Sequence, residues 1–166
     1  MLPKITFLLC LSMIVFSCSK EQEFIKNEAE NGPYVKFLNA DNFPKGEHTG
    51  FVSSWSFSGE VEAPSNNVKT YELFIGIGSE EPLKSSIILS TFPTTLSISG
   101  NDILNTLSKS DSDFTEDTDL RFYGLVTGND GLVAKDFPGN SNVSTDFINW
   151  NVGTFSAYQF RVTFKQ

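Results

Sequence analysis

Hydrophobic and polar residues alternate along the segment 50–63, GFVSSWSFSGEVEA. Its even positions from 54 to 62 are all serine or glutamate. Apart from Val52, its large apolar residues fall on odd positions: Phe51, Trp55, Phe57 and Val61. Because successive side chains of a strand point to opposite faces of the sheet, this segment predicts a β-strand with one packed and one solvated face. Trp55 and Phe57 are therefore expected in the core.

Short runs rich in β-branched and aromatic residues continue to the C-terminus, separated by turns with Gly, Pro, Asn and Asp. They predict seven or eight strands. The predicted strands lie at about 34–38, 50–63, 68–77, 85–92, 94–98, 119–127, 132–137 and 155–164. So many short strands in one domain are typical of a β-sandwich. We therefore predict an all-β fold, immunoglobulin-like or fibronectin-III-like.

Three local patterns refine this prediction. The sequence Asn-Asp-Gly at 129–131 predicts a hairpin, because these residues tolerate the positive φ of tight turns. In the segment 68–77 both faces of the strand carry apolar surface, since Phe74 opposes the set that contains Leu73 and Ile75. In the last predicted strand Phe160, Val162 and Phe164 alternate with polar residues, so this strand also has one packed face.

One short helical turn is predicted at 101–107. Asn101 is the expected N-cap, and the carboxylate of Asp102 suits the positive end of the helix. Ile103, Leu104 and Leu107 fall on one side of this turn. A helix of this length is stable only when it docks on other structure, so we expect it to pack on the sandwich.

The N-terminal residues have the pattern of an export signal. Lys4 precedes twelve uncharged residues at 5–16, too few for a membrane span, which needs about 20. Residues 1–17 are therefore interpreted as a signal peptide. Val15-Phe16-Ser17 before Cys18 resembles a bacterial lipobox, with Phe16 as a departure from the strict pattern. Lipidation of Cys18 is the expectation, and cleavage by an ordinary signal peptidase is the alternative.

Cysteine usage favours the lipidated form. Cys10 lies within the signal peptide, so the exported chain keeps Cys18 alone and has no disulfide. The charged run Ser19 to Glu23 resembles the export signal that sends lipoproteins of Bacteroidota to the outer face of the outer membrane. Residues 18–32 are interpreted as the lipidated N-terminus and a flexible tether, and 33–166 as the β-sandwich domain. The periplasmic face is the alternative location.

The order of these segments resembles that of small β-sandwich lipoproteins of Bacteroidota, which accompany nutrient-uptake systems of the starch-utilisation type. The resemblance covers most of residues 18–166. The segments that carry it are SFSGEVEAPSNNV, KTYELFIGI, STFPTTLSISGNDILNTL, LRFYGLVTGNDGLVAKDF and FSAYQFRVTF. It implies an immunoglobulin-like or fibronectin-like fold, exposure on the cell surface, and a substrate-capturing or accessory role beside an outer-membrane transporter. It implies no particular binding residues.

Charge and residue content exclude several functions. The chain has 12 basic and 20 acidic residues, a net charge of −8 that repels nucleic-acid phosphates. His48 is the single histidine, and no G-x-S-x-G or mature thiol accompanies it as a nucleophile. We interpret His48 as a solvated loop residue and expect no enzyme activity and no cofactor.

The acidic run from 111 to 119 is the candidate for a metal. It holds five carboxylates in nine residues, which are the oxygen ligands that Ca²⁺ prefers. Its spacing departs from the EF-hand loop, because Glu116 stands where that loop has glycine. A solvated acidic loop before a strand is the favoured interpretation, so no metal site is predicted.

The candidate ligand site lies in the segment 139–153, GNSNVSTDFINWNVG. Sugar sites combine a flat aromatic ring with amide and carboxylate groups, and this loop offers that combination. The candidate ligand-binding residues are Asp146, Asn149, Trp150 and Asn151. The alternative is that Phe147 and Trp150 close one end of the sandwich. The sequence thus predicts a non-enzymatic surface lipoprotein that binds a glycan or other nutrient, with an adhesion or structural interaction module as the alternative.

Overall fold

The computed structural model describes residues 32–38, 46–143 and 157–165. These residues form ten strands, one α-helix and two short 3₁₀ turns. The strands are β1 Lys36–Phe37, β2 Glu47–Thr49, β3 Ser56–Glu62, β4 Thr70–Ile77, β5 Leu83–Leu89, β6 Thr94–Ser99, β7 Thr118–Thr127, β8 Val133–Phe137, β9 Asn140–Ser141 and β10 Gln159–Lys165. The helix α1 is Gly100–Leu107, and the 3₁₀ turns are Val52–Ser54 and Asp111–Asp113.

The strands form two sheets. The smaller sheet has the order β1-β3-β6, and the larger has the order β2-β10-β7-β4-β5, with β8 paired to β7 and β9 to β8. Without β2 and the β8–β9 hairpin, seven strands remain in chain order: β1, β3, β4, β5, β6, β7 and β10. The first, second and fifth of these seven share one sheet, and the third, fourth, sixth and seventh share the other. This division is that of immunoglobulin-like sandwiches, with the fourth strand beside the third. The prediction of an all-β sandwich is confirmed.

Aromatic rings fill the space between the two sheets. The ring of Trp55, just before β3, stacks on that of Phe122 on β7, with 5.4 Å between their centroids. Phe57 lies 5.4 Å from Phe160 on β10, and Phe37 on β1 lies 5.9 Å from the same ring. These contacts confirm the strand alternation predicted for β3 and for β10. The core therefore depends on ring packing between neighbouring layers.

The predicted strand at 50–63 begins later than the alternation indicates. A 3₁₀ turn occupies Val52–Ser54, and β3 starts at Ser56. Val52 is buried while Phe51, expected in the core, is 60% exposed. The turn is held by a hydrogen bond from the Trp55 amide to the Val52 carbonyl oxygen, 3.0 Å away. The extra turn shifts the side-chain parity of everything before Trp55, which strand periodicity cannot anticipate.

The helix is confirmed at 100–107, but its predicted N-cap is wrong. Ser99 is the N-cap, because its Oγ accepts a hydrogen bond from the Asp102 amide at 3.2 Å. The Asp102 carboxylate in turn accepts from the Ser99 amide at 2.8 Å, which completes a capping box. The helix therefore begins at Gly100, one residue before the predicted cap Asn101. A Cβ on Gly100 would overlap the backbone of Val52 and Ser53. The close packing of α1 on the first 3₁₀ turn therefore depends on that glycine.

Two further strand pairings belong to the larger sheet. The hairpin predicted at 129–131 is confirmed, since β7 and β8 pair with Thr127 opposite Val133. Strand β2 was not predicted, and it pairs in parallel with β10, with His48 opposite Phe164. Within the described residues, no helix has the length and apolar character that a membrane span requires.

Candidate functional site

The residues that the sequence nominated for ligand binding and lipidation lie outside the described part of the chain. This applies to Cys18 and to the loop residues Asp146, Asn149, Trp150 and Asn151. The boundaries of the signal peptide and nearly all of the tether lie outside it as well. These interpretations stay predictions, and the site described below is built from other residues.

His48 is not the solvated loop residue that the sequence indicated. It belongs to β2 and is half-buried, with its ring 5.4 Å from that of Phe164. Its Nε2 lies 3.3 Å from the Oγ of Ser54. The interpretation was wrong because β2 finds its partner in β10, more than a hundred residues along the chain, where no local pattern can reveal it.

The carboxylates of the acidic run make separate local contacts. Asp111 accepts a hydrogen bond from the Ser53 amide at 2.9 Å, and hydrogen bonds from Ser53 lower the pKa of this carboxyl. Asp113 caps the second 3₁₀ turn through Ser110, whose backbone amide lowers its pKa. Asp117 forms an ion pair with Lys165 on β10. In the described residues no three acidic, histidine or cysteine side chains come together as a metal site.

A cleft of about 340 Å³ opens on the outer face of the larger sheet. Four strands and a turn line it. Arg121 and Tyr123 come from β7, Gln159 comes from β10, and the segment 136–141 comes from the β8–β9 hairpin. The outward residues of β7 and β10 alternate with the core residues Phe122 and Phe160, so the strand parity that builds the core also exposes this set.

The β8–β9 hairpin forms one wall of the cleft. Asp136 pairs with Ser141 and Phe137 with Asn140, which leaves Pro138 and Gly139 at the turn. Gly139 has a φ of 67°, a left-handed value that favours glycine. Proline followed by glycine at the two central positions is the sequence signature of a type II turn. The wall is thus fixed by local turn chemistry.

Phe137 attaches this wall to the sheet. Its ring centroid lies 4.9 Å from that of Phe74 on β4 and 5.7 Å from that of Tyr123 on β7. The Nζ of Lys135 lies 5.7 Å from the centroid of the same ring, within the range of a cation–π contact. The apolar surface that the sequence placed on the second face of β4 is therefore covered by the hairpin.

Tyr123 lies between the aromatic wall and the charged residues. The residue is 1% exposed, and its hydroxyl has no hydrogen-bond partner of normal geometry among the described groups. Burial raises the pKa of this hydroxyl, and Arg121 opposes the rise, while Asp119 and Asp136 add to it. A buried hydroxyl without a partner costs about 1–3 kcal/mol of stability. The cleft thus contains a buried hydroxyl that acts on Arg121 but has no described group at normal hydrogen-bond geometry.

The charged residues around the cleft balance one another. Arg121 Nε donates to Asp119 Oδ2 at 2.9 Å, and this hydrogen bond raises the pKa of the guanidinium. Lys135 is held over Phe137, and Asp136 lines the cleft without an ion pair to another described residue. Two formal positive charges therefore accompany two formal negative ones. The side chains of the cleft can therefore both donate hydrogen bonds to a polar ligand and accept hydrogen bonds from it.

Sequence reasoning missed this site because its residues come from three separated parts of the chain. The one available signal was Phe74, an aromatic residue on the face of β4 that the alternation predicts to be solvated. Such a residue indicates that something covers the outer face of the sheet. The identity of the cover, the β8–β9 hairpin, follows only from the pairing of β8 with β7.

Fold and cleft together define a β-sandwich protein with a small, partly aromatic cleft on one outer sheet face. Comparison with known proteins adds no closer relation: no family model matches the chain, and no curated protein or solved structure matches it either.

Proposed function

We propose that this protein is a lipid-anchored outer-membrane protein, facing the cell exterior, that binds a glycan or other small nutrient without chemically changing it. The observation that carries the proposal is the cleft on the outer face of the larger sheet. Ligand sites are concave and combine aromatic or apolar walls with a few polar groups, and this cleft has both. Its volume of about 340 Å³ lies near the lower end of the range for small-molecule sites.

Binding without catalysis fits the way the chain uses its titratable groups. The single histidine is engaged by Phe164 and Ser54, away from the residues that line the cleft. The carboxylate Asp136 lines the cleft together with the guanidinium of Arg121, which is already paired with Asp119. We therefore assign the cleft a capturing role, and the protein an accessory role beside an outer-membrane transporter.

The anchor is assigned to Cys18, with the membrane as partner through the attached lipid. The test is metabolic labelling with palmitate in a bacterial host that makes lipoproteins. We expect label on the wild-type protein and none on Cys18→Ala, and proteolysis of intact cells should remove the domain. Label retained by Cys18→Ala would contradict the anchor, and protection from protease would place the domain on the periplasmic face.

The binding role is tested by screening the purified protein against an array of oligosaccharides and other small nutrients. We expect at least one compound to bind and to shift the amide NMR signals of Tyr123, Phe137 and Gln159. Binding elsewhere on the surface, with these signals unmoved, would assign the capturing role to other residues. The loop residues Asp146, Asn149, Trp150 and Asn151 are then tested by Trp150→Ala, with melting temperature measured beside affinity.

A second candidate function is adhesion or a structural contact with another protein. The observation that favours it is the edge of the larger sheet at β5, beyond which no further strand pairs within the described residues. Leu83 is 49% and Ile88 50% exposed along this strand. An open strand edge can accept a strand from a partner. Ile88→Lys should abolish such a contact and leave ligand binding in the cleft unchanged.

A further inference from the structure

From the geometry of the cleft we infer its ligand class: an uncharged, hydroxyl-rich molecule, such as one or two pyranose rings of a neutral glycan. Asp136 and Arg121 act as the specificity-determining residues. This inference rests on the proposed binding function and names the chemistry that the same cleft selects.

The electrostatics of the cleft favour a neutral ligand. Arg121 is paired with Asp119 through Nε, with 2.9 Å between nitrogen and oxygen, so an anionic ligand gains little from the charge of Arg121. A carboxylated or sulfated ligand would be repelled by Asp136 and by a chain of net charge −8. The charged side chains that line the cleft are one cation and one anion, Arg121 and Asp136, so a cationic ligand finds no net negative charge there and an uncharged ligand fits best.

The hydrogen-bonding capacity of Arg121 and Asp136 also favours a hydroxyl-rich ligand. An ionised carboxylate only accepts hydrogen bonds, and a guanidinium only donates them. Arg121 uses Nε on Asp119, which leaves the N–H groups of its two Nη atoms for another acceptor. A sugar hydroxyl is both donor and acceptor, so neighbouring hydroxyls can donate to Asp136 and accept from Arg121. Asn140 and Ser141 supply further polar groups at the cleft wall.

The buried hydroxyl of Tyr123 also favours a ligand that forms hydrogen bonds. It lies beneath the cleft without a partner of normal geometry, and the charges of Arg121 and Asp136 both act on it. A ligand hydroxyl that displaces Arg121 slightly toward the Tyr123 oxygen would give this group a partner. Such a gain would come with ligand binding, because without ligand no described group lies at normal hydrogen-bond geometry from this hydroxyl. The binding geometry is thus prepared for a neutral hydrogen-bonding ligand.

The test compares three classes of trisaccharide by isothermal titration calorimetry. The neutral class is maltotriose, cellotriose, xylotriose and mannotriose; the acidic class is trigalacturonic acid; the cationic class is chitosan trimer. We expect binding to at least one neutral compound and at least tenfold weaker binding of both charged classes. Asp136→Asn should weaken the neutral ligand about tenfold, since hydrogen bonds to a charged group are stronger than neutral ones.

Glu81→Gln is the matched control, because it removes the same charge from an exposed turn outside the cleft. Its affinity should equal that of the wild type. Amide NMR signals of Tyr123 and Gln159 should move with the neutral ligand, which gives a readout that does not require any variant. Melting temperatures of the variants show that the comparison is made on folded protein.

The outcomes separate the two levels of the proposal. Trigalacturonic acid or chitosan trimer bound in the cleft as tightly as the neutral compounds would overturn the ligand class and leave the binding function standing. An unchanged affinity in Asp136→Asn would overturn the role of that carboxylate. If none of the compounds binds and the signals of the cleft stay unmoved, the ligand class is overturned, and a negative result from the wider nutrient screen would overturn the binding function.

Discussion

The hydroxyl of Tyr158 donates a hydrogen bond to the carbonyl oxygen of Pro33, 3.0 Å away and 125 positions earlier in the chain. The hydroxyl oxygen of Tyr158 also accepts a hydrogen bond from the amide of Val35, 3.4 Å away. Burial raises the pKa of this hydroxyl, so it stays neutral and available as a donor. One side chain thus joins the start of the described chain to the segment that enters β10.

Three tyrosine hydroxyls provide a graded test of this contact. Tyr158→Phe removes both hydrogen bonds and leaves the Pro33 carbonyl without its donor, so we expect a loss of about 1–3 kcal/mol in the free energy of unfolding. Tyr71→Phe removes a bond from its hydroxyl to the Ala157 carbonyl oxygen, 2.9 Å long, with a similar expected loss. Urea unfolding measures both.

Tyr123→Phe is the matched control, because its buried hydroxyl has no hydrogen-bond partner of normal geometry among the described residues. The substitution removes an unsatisfied polar group, so stability should stay unchanged or rise slightly. A loss of unfolding free energy comparable with that of Tyr158→Phe would show that the Tyr123 hydroxyl is hydrogen-bonded in the free protein. The Tyr123 hydroxyl would then no longer support the proposed ligand class.

Gly124 marks a close approach between β7 and the segment before β10. Its amide donates to the Tyr158 carbonyl oxygen at 2.9 Å, and a Cβ at this position would overlap the Ala157 carbonyl oxygen and the ring of Tyr71. We expect Gly124→Ala to cost about 1–3 kcal/mol through overpacking. Thermal and urea unfolding test this, with Ser97→Ala on the exposed face of β6 as a control that stays near the wild type.

Trp55 and Phe51 share one parity in the sequence and should differ sharply in their contributions to stability. Trp55 is 3% exposed and stacked on Phe122, so Trp55→Ala should destabilise the fold by about 3–5 kcal/mol. Phe51→Ala removes an exposed side chain, and its effect should stay within about 0.5 kcal/mol. Equal losses in urea unfolding would mean that the 3₁₀ turn does not separate the two residues.

Asp130 gives the stability a dependence on acid pH. Hydrogen bonds from the Leu132 amide and the Asn67 side chain hold its pKa below the ordinary value of 3.8. The stability that this carboxylate adds to the fold is therefore complete above pH 3.8, and it is lost as the pH falls through the lower pKa of the folded state. Asp130→Asn should flatten, without abolishing, the fall of the urea midpoint at acid pH, since Asp111 and Asp113 also have lowered pKa values.

The control for this experiment is Glu81→Gln, which removes a charge from an exposed turn. Its urea midpoint should follow the wild-type profile at every pH. An Asp130→Asn profile as steep as the wild type would show that the hairpin contacts of Asp130 do not couple to its protonation.

The sequence predicted those parts of the fold that local periodicity controls. Trp55, Phe57 and Phe160 are buried as their strand parity indicates, and the Asn-Asp-Gly turn joins β7 to β8. Strand β2 was missed because its three residues are mostly polar and pair with a strand far along the chain. The cap at Ser99 was missed because Asn101 is an equally good capping residue when only the sequence is considered.

The cleft was beyond prediction for a geometric reason. Arg121, Asp136 and Gln159 lie on three strands whose order in the sheet is set by the packing of the whole sandwich. Alternation shows that Arg121 and Gln159 face away from the core, but it does not show that they are neighbours. Their proximity follows from the antiparallel register of β7 with β10, where Tyr123 pairs with Gln159.

The β8–β9 hairpin contributes most of the cleft wall and none of the fully buried core residues. Substitutions at 136–141 are therefore expected to reshape the cleft with little effect on the folding of the sandwich beneath. If the cleft binds a ligand as proposed, its specificity could be changed at six consecutive positions while the ring-packed interior stays the same. The shape of the cleft and the stability of the fold can thus be engineered separately.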